Sequence, residues 1–395
     1  MVRTSKRIRV LFPFVGGDEI GGSHISAMML IRNLDPDRFD PRILIHRPTG
    51  PFAEMLRDSG DVFEAVPDIP ILGSERTLAV SNSTGVVGYM RRSLCPLRAV
   101  LKRTDADIVH TNDGRMHANW VLPTRLSGRA LLWHHRQDPD GVGINKIAPL
   151  LANRIVTVSE YAKPNNPLRS IQGRCDIIHS PFDFATDPPD PDTARAGLCA
   201  ELGIEPGALI LGYFGTIIVR KRPDHFVRSV AAIQAQMPET PVYGLIFGEM
   251  ERPDSRLDET VPALAAQLGV GSRVRLMGFR SPIQPYMAGI DAMLVPALNE
   301  PFGRTLIESM YLGTPVIATD HGGNPEAITH GKTGFLVDKD DPSAFVEPVL
   351  TLKKDPDLRS RIIAAAKADV LENYGTDKHV SKISAIYEQL VTRQP

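Results

Sequence analysis

Two glutamates eight positions apart, Glu300 and Glu308, lie in the densest run of chemistry-bearing residues in the chain, residues 295–337, VPALNEPFGRTLIESMYLGTPVIATDHGGNPEAITHGKTGFLV. The pattern predicts a strand ending near Val295 and a helix opened by Pro301. Phe302, Gly303, Arg304 and Thr305 would then sit at a helix N-terminus. Backbone N–H groups there lack intrahelical partners and favour an anion such as a diphosphate. Glu308 falls about a turn and a half further on, where its carboxylate can accept hydrogen bonds from two neighbouring ribose hydroxyls. Glu300, ahead of the helix, would face whatever is attached beyond the phosphates. The competing account makes both glutamates first-turn charges that favour the helix dipole. A second turn holding Gly322, Gly323, Pro325 and Glu326 shifts the balance towards a site.

Other groups could serve the same chemistry. Arg220, Lys221 and Arg222 follow an apolar run at 208–214, so they would stand at a strand's end, where fixed cations can stabilise a departing diphosphate. A solvated basic loop is the alternative. His134 and His135, beside Arg136, end another strand-like run. His110 and His117 are weaker candidates, and His110 reads as a strand-end packing residue. Gly21, Gly22 and Ser23 form a loop that could approach a ligand, or a tight turn needing positive φ. Asp-x-Asp pairs occur at Asp35–Asp37, Asp105–Asp107, Asp138–Asp140 and Asp338–Asp340, but no histidine or carboxylate spacing completes a ligand set, so no metal is expected.

Apolar runs at 9–15, 43–45, 108–110, 130–133, 155–158 and 176–178 predict strands in the first half. Ser23 is the expected N-cap of the first helix. The stretch DFATDPPDPD at 183–192 reads as an interdomain linker. The pattern then restarts, with strands expected at 208–214, 242–247, 274–277, 292–295, 315–318 and 334–337, a helix at 223–237 and a last helix near 376–392. Alternating strands and helices imply parallel sheets covered on both faces, in two doubly wound α/β domains.

The chain has 395 residues, 42% hydrophobic, with a formal net charge of −1. It is long enough for two domains and lacks the cationic surplus of a nucleic-acid binder. Cys95, Cys175 and Cys199 form no CxxC pair, and no stretch of about 18 apolar residues could span a membrane. Reduced thiols suggest the cytoplasm. Residues 77–104 hold no acid but five cations, Arg91, Arg92, Arg98, Lys102 and Arg103. That segment suits peripheral contact with an anionic membrane or a lipid-linked acceptor at the inner membrane face, or forms a plain basic helix interrupted by Pro96. A dinucleotide dehydrogenase is excluded because VGGDEIGG at 15–22 fails the GxGxxG spacing.

The C-terminal half resembles the retaining glycosyltransferases of family 4, the group 1 glycosyltransferases of GT-B fold. The resemblance rests on Glu-x7-Glu at Glu300 and Glu308, the Gly322–Gly323-x-Pro325–Glu326 turn and Gly331-Lys-Thr-Gly334. It is looser in the N-terminal half, at Gly21–Gly22, at 109–113 (VHTND), 133–136 (WHHR) and 156–160 (VTVSE). The resemblance implies two facing Rossmann-like domains, 1–185 and 193–375, with the 376–395 helix crossing back to the first. It implies transfer of a hexose or N-acetylhexosamine, with retention, from a UDP- or GDP-linked donor to an acceptor hydroxyl in glycan biosynthesis, without metal or other cofactor. Glu308 would hold the donor ribose, Glu300 would lie near the sugar, and Gly303–Thr305 near the diphosphate. His134, with His135 close behind, would approach donor sugar and acceptor, and Gly21 and Gly22 the donor phosphate. Phe279 and Arg280 would meet the nucleobase through backbone groups. In the basic turn the family carries an arginine after its glycine and a lysine five residues on. Lys221 matches, but Thr216 replaces the arginine, leaving Arg220 or Arg304 to supply that charge. A nucleotide-sugar epimerase or hydrolase, or a non-catalytic nucleotide-sugar binding protein, would share the same donor site.

Overall fold

The computed structural model describes residues 7–17, 20–73, 82–184, 187–250 and 256–392. Part of the first glycine loop, the start of the basic segment, linker residues 185 and 186, and residues 393–395 therefore lie outside the described residues. The chain forms two compact units: residues Met1–Asp183 with Tyr374–Pro395, and residues Phe184–Asn373.

The first unit holds β1 (Ile8–Phe14), β2 (Phe39–Ile45), β3 (Phe63–Ala65), β4 (Ile71–Leu72), β5 (Ser83–Thr84), β6 (Ile108–Thr111), β7 (Ala130–His135), β8 (Arg154–Thr157) and β9 (Cys175–Ile177). Seven of these make one sheet in the order β3-β2-β1-β6-β7-β8-β9, and β4 pairs with β5. The described pairs of the seven-stranded sheet are parallel. Strand parity explains why β1 is apolar throughout. Val10, Phe12 and Phe14 pack in one core with Ala27, Leu30 and the C-terminal helix. Leu11 turns to the opposite core, with Leu97 and Trp120. Both faces of the sheet are thus buried, and an alternating polar face would be penalised. The C-terminal helix, Thr376–Thr392, contributes Ile383, Ile386, Tyr387 and Leu390 to the first unit's core.

The second unit holds β10 (Leu209–Phe214), β11 (Val242–Phe247), β12 (Val274–Gly278), β13 (Ala292–Val295), β14 (Val316–Thr319) and β15 (Phe335–Val337). Their order, β12-β11-β10-β13-β14-β15, again reverses direction beside the unit's first strand. In such sheets the crevice outside the carboxyl ends of the strands at the reversal is where ligands bind. That places the turn after β10 beside the loop after β13. Among the described residues no helix is long and apolar enough to cross a membrane.

Four local expectations need correction. The helix after β13 is Arg304–Tyr311 with Gly303 as its N-cap, so Pro301 does not open it. The Glu300 carbonyl is already bound by the Gly323 N–H at 2.8 Å, and the chain reverses only at Gly303, whose φ of +56° suits glycine. The first helix, Gly22–Asn33, is capped by Gly21, whose carbonyl accepts from the His24 and Ile25 N–H groups, leaving Ser23 inside the first turn. Gly21 itself has φ −98°, and the positive values belong to Gly16 and Gly17, so no tight turn explains the Gly21–Gly22 pair. Where the linker was expected, Asp190 caps a helix over Pro191–Leu202, its carboxylate accepting from the Thr193 N–H at 2.9 Å.

Candidate functional site

In the second unit the reversal of the sheet gathers residues far apart in sequence. Arg220 and Lys221 lie on a short 3-10 turn after β10, at Val219–Lys221. Glu300 follows β13. Arg220 Nη1 donates to Glu300 Oε2 at 3.0 Å, and Lys221 Nζ approaches the same oxygen at 3.6 Å. Burial alone would push the Glu300 carboxyl up, but Lys221, Arg220 and the Gly303 N–H together outweigh it and hold it below the usual range. Two cations and a capped helix terminus therefore meet at one ionised carboxylate. Arg222 does not join them, because its guanidinium is tied to the Lys339 carbonyl and to His225.

Arg304 points elsewhere. It opens the helix and pairs with Glu308 one turn on, Nη2 to Oε1 at 3.6 Å. Burial pushes the Glu308 carboxyl up, and Arg304 opposes that. Neither glutamate lies in the first helical turn, so the macrodipole account of the pair fails. Thr305 anchors the helix start by donating its hydroxyl to the Phe214 carbonyl at the end of β10, at 3.3 Å, and Phe302 is buried beside it. Thr216 is exposed, and its carbonyl faces the Tyr213 hydroxyl at 3.4 Å. Phe279 is 65% exposed after β12, and Arg280 donates back to its carbonyl at 3.1 Å. No described hydrogen bond or ion pair joins those two residues to the Glu300 cluster.

The Gly322–Gly323 turn has a positioning role that its spacing does not reveal. A Cβ on Gly323 would stand 2.5 Å from the Pro301 carbonyl oxygen, and one on Gly322 would stand 2.8 Å from that of Glu300. The turn therefore lies directly against the backbone that carries Glu300, and Asn299 N–H donates to His321 Nδ1 at 3.2 Å on the same loop. Gly323→Ala is expected to cost about 1–3 kcal/mol through overpacking and to weaken nucleotide binding as Glu300 is displaced. Thermal unfolding and calorimetry check this. A variant unchanged in both would contradict the close-approach account.

In the first unit His134 and His135 end β7, as expected, but they face opposite sides of the sheet. His135 Nε2 meets the Asp138 carbonyl at 2.9 Å, so that nitrogen carries the proton. His134 joins a buried chain. Its Nδ1 lies 3.1 Å from His110 Nε2 and 3.3 Å from Arg136 Nη2, while His110 Nδ1 meets the Tyr387 hydroxyl at 2.6 Å. His110 is therefore more than a packing residue. Burial, with Arg136 and neighbouring histidines, holds both imidazoles well below their usual range. His117 does pack, stacked on Trp133 at 4.1 Å and bonded to the Thr111 hydroxyl. Gly21 caps its helix, with its N–H donating to His24 Nδ1 at 3.2 Å, and Gly22 starts that helix; no described contact ties either to the histidines. Tyr387 escaped the sequence reading as a site residue, whereas Arg136 was read beside the histidines. The legible signal was a histidine at the end of each of two strands, β6 and β7. Among the described residues no group of three or more His, Cys, Asp or Glu is arranged to hold a metal ion.

Comparisons with known proteins converge on the second unit first. The family model for group 1 glycosyl transferases matches residues 199–369. The D-inositol 3-phosphate glycosyltransferase of Corynebacterium efficiens is 31% identical over 224 residues, 56% of this chain and 52% of that protein. Its namesake from Streptomyces scabiei is 34% identical over 209 residues, 50% of this chain and 45% of that protein. The chain thus spans about half the length of the curated relatives it matches. Among solved structures, Anabaena Alr3699/HepE in complex with UDP-glucose covers 97% of this chain and 100% of its own, with a TM-score of 0.79 at 18% identity. A glycosyltransferase from Rickettsia africae ESF-5 covers 98% and 100%, with a TM-score of 0.81 at 19% identity. These likenesses show the fold, the GT-B class of two Rossmann-like α/β domains. The Glu300–Glu308 helix and the glycine turn behind it fall within the matched residues, so the second unit of this chain is similar to the group 1 glycosyl transferases over residues 199–369.

Proposed function

We propose that the protein transfers a hexose or N-acetylhexosamine from a UDP- or GDP-linked sugar to an acceptor hydroxyl with retention of configuration. One observation carries the reading: Arg220 and Lys221 converge on Glu300 beside the capped helix at the reversal of the second sheet. Loss of a nucleoside diphosphate develops negative charge, and preorganised cations with helix N–H groups stabilise it without a divalent ion. Glu308 takes the ribose, Glu300 faces the sugar, and Phe279 and Arg280 offer backbone groups to the base. Within the first unit, His134 and His135 are the side chains we assign to sugar and acceptor hydroxyls. Retention is the expectation from the resemblance to the group 1 glycosyl transferases, and a front-face reaction assisted by the leaving phosphate fits, since no carboxylate is placed as a covalent nucleophile among the residues named.

The test is incubation with a panel of UDP- and GDP-sugars and hydroxyl acceptors, including myo-inositol and its phosphates in view of the relatives' names. A glycosylated product formed equally with and without EDTA supports the reading. Donor breakdown without product favours an epimerase or hydrolase, and absence of donor binding refutes the shared premise.

The reading extends to a cytoplasmic protein that docks on an anionic membrane face. Val86 and Val87 are each 66% exposed, and Met90 is 44% exposed, on the helix that ends in Arg91 and Arg92. Each basic residue near an anionic surface contributes about 1 kcal/mol. Sedimentation with phosphatidylserine vesicles should exceed that with phosphatidylcholine alone and should fall in Val87→Asp. Equal sedimentation with both lipids would count against docking.

A further inference from the structure

At the amino ends of β10 and β13 the second unit holds a cavity of about 220 Å³. Leu209, Ala292, Val349 and Leu352 supply its apolar wall, each 5% exposed or less, and Arg359 and Lys353 also line it. β10 and β13 are parallel neighbours, so the cavity lies at the opposite end of these strands from Arg220, Lys221 and Glu300. The six residues of β10, at roughly 3.3 Å each, separate the two places by about 20 Å. Binding a nucleotide sugar at the carboxyl ends gives this cavity no role.

Arg359 is the group there that can do chemistry. Its Nη1 donates to the Asp291 carbonyl at 2.7 Å, its one described hydrogen bond. The Asp291 carboxylate is engaged elsewhere, because its Oδ2 accepts from Arg195 Nη1 and from the Ile210 N–H, each at 2.7 Å. Among the described residues no carboxylate forms an ion pair with Arg359 or Lys353. Burial lowers the Arg359 pKa; Asp291 opposes that and Arg195 adds to it. A lysine in the last turn of the Val346–Lys354 helix complements the helix dipole wherever it points, so Lys353 alone would mean little. A half-buried guanidinium is different, since most of its five N–H donors stay unpaired beside an apolar wall.

We propose that this cavity binds a small carboxylate with a hydrocarbon body, of the size of hexanoate or benzoate. The Arg359 guanidinium takes the carboxylate, Lys353 adds charge, and the body lies against Leu209, Val349 and Leu352. Guanidinium and carboxylate match as a two-point pair, which a lysine does not reproduce. A cavity of roughly 150 Å³ holds benzene. At about 220 Å³ this one admits a six-carbon body with its head group. A bare oxyanion would set polar atoms against aliphatic side chains, and a neutral body would leave the guanidinium unpaired. The site shares no residue with the donor site and stands independently of it.

Calorimetry on the full chain with hexanoate and benzoate tests it. Both should bind the wild type. Acetate, which lacks the body, should bind about tenfold more weakly or worse. Hexan-1-ol, which lacks the charge, should do the same. Arg359→Met keeps the length of the side chain and removes its charge, so hexanoate should weaken about tenfold or more. Arg359→Lys should recover only part of that loss. Val349→Phe fills the cavity without touching the guanidinium and should abolish binding. Methyl spectra of the leucine- and valine-labelled wild type need no substitution. Hexanoate should shift the Val349 and Leu352 signals and leave Leu306, in the Arg304–Tyr311 helix, unmoved. Excess UDP should not displace it. No binding of either carboxylate to the wild type overturns the proposal. So does unchanged affinity in a folded Arg359→Met, acetate or hexan-1-ol binding as tightly as hexanoate, methyl shifts confined to Leu306, or displacement by UDP.

Discussion

Lys221→Ala is expected to reduce transfer about 100- to 1000-fold, the usual cost of removing one preorganised group from developing charge. Turnover should fall more than affinity for the free nucleoside diphosphate, because the negative charge grows as the bond to the sugar breaks. Arg220→Ala should follow it closely. The two cations approach one oxygen of Glu300, so both are held where that carboxylate and the leaving group meet. Arg304→Ala should behave differently. Its guanidinium is paired with Glu308, so its loss should raise the Kd for the nucleotide and leave the turnover of bound donor largely intact. The structure thus favours Arg220 as the substitute for the family arginine that Thr216 replaces. Thr216 is exposed, which leaves room for a longer side chain. Thr216→Arg introduced into Arg220→Ala should recover a measurable part of the lost rate. Full activity in Arg220→Ala alone, or a turnover loss in Arg304→Ala matching that of Lys221→Ala, would contradict this assignment.

Glu308→Ala is expected to raise the Kd for UDP or GDP about 10- to 100-fold. Two hydrogen bonds from ribose hydroxyls to a charged acceptor contribute roughly 1.5–3 kcal/mol. The ribose can use this carboxylate only when it is ionised. Burial raises the carboxyl's pKa, so proton uptake on acidification sets in at higher pH than for an ordinary glutamate. Affinity should therefore be full on the alkaline side and decline as pH falls through that raised value. Calorimetry from about pH 8 to about pH 5 tests the sign, and Glu308→Gln should flatten the profile. An affinity that rises on acidification, or one unchanged in Glu308→Ala, would refute the ribose role.

The contrast between these two sites shows how much could be read without coordinates. Arg304 and Glu308 are four apart on one helix, a spacing that makes them neighbours wherever the helix lies. The strands were legible for a similar reason. Sheets buried on both faces leave near-continuous apolar runs, as in IRVLFPF of β1. Helix starts were less legible. Pro301 and Ser23 have the right residue types for a start, but Gly323 and His24 engage the backbone there and move each boundary.

By itself, then, the sequence determined the alternation of strands and helices, the two doubly wound halves and the glutamate pair with its helix terminus. Each of these depends on a short-range period or spacing. Tertiary structure decided which cations meet Glu300 and which groups His110 and His134 contact. Arg220 meets Glu300 across 80 residues because β10 and β13 become neighbours at the sheet's reversal. Tyr387 meets His110 across 277 residues because the last helix packs on the first sheet. No local period encodes such meetings. They exist only once both faces of each sheet have been covered.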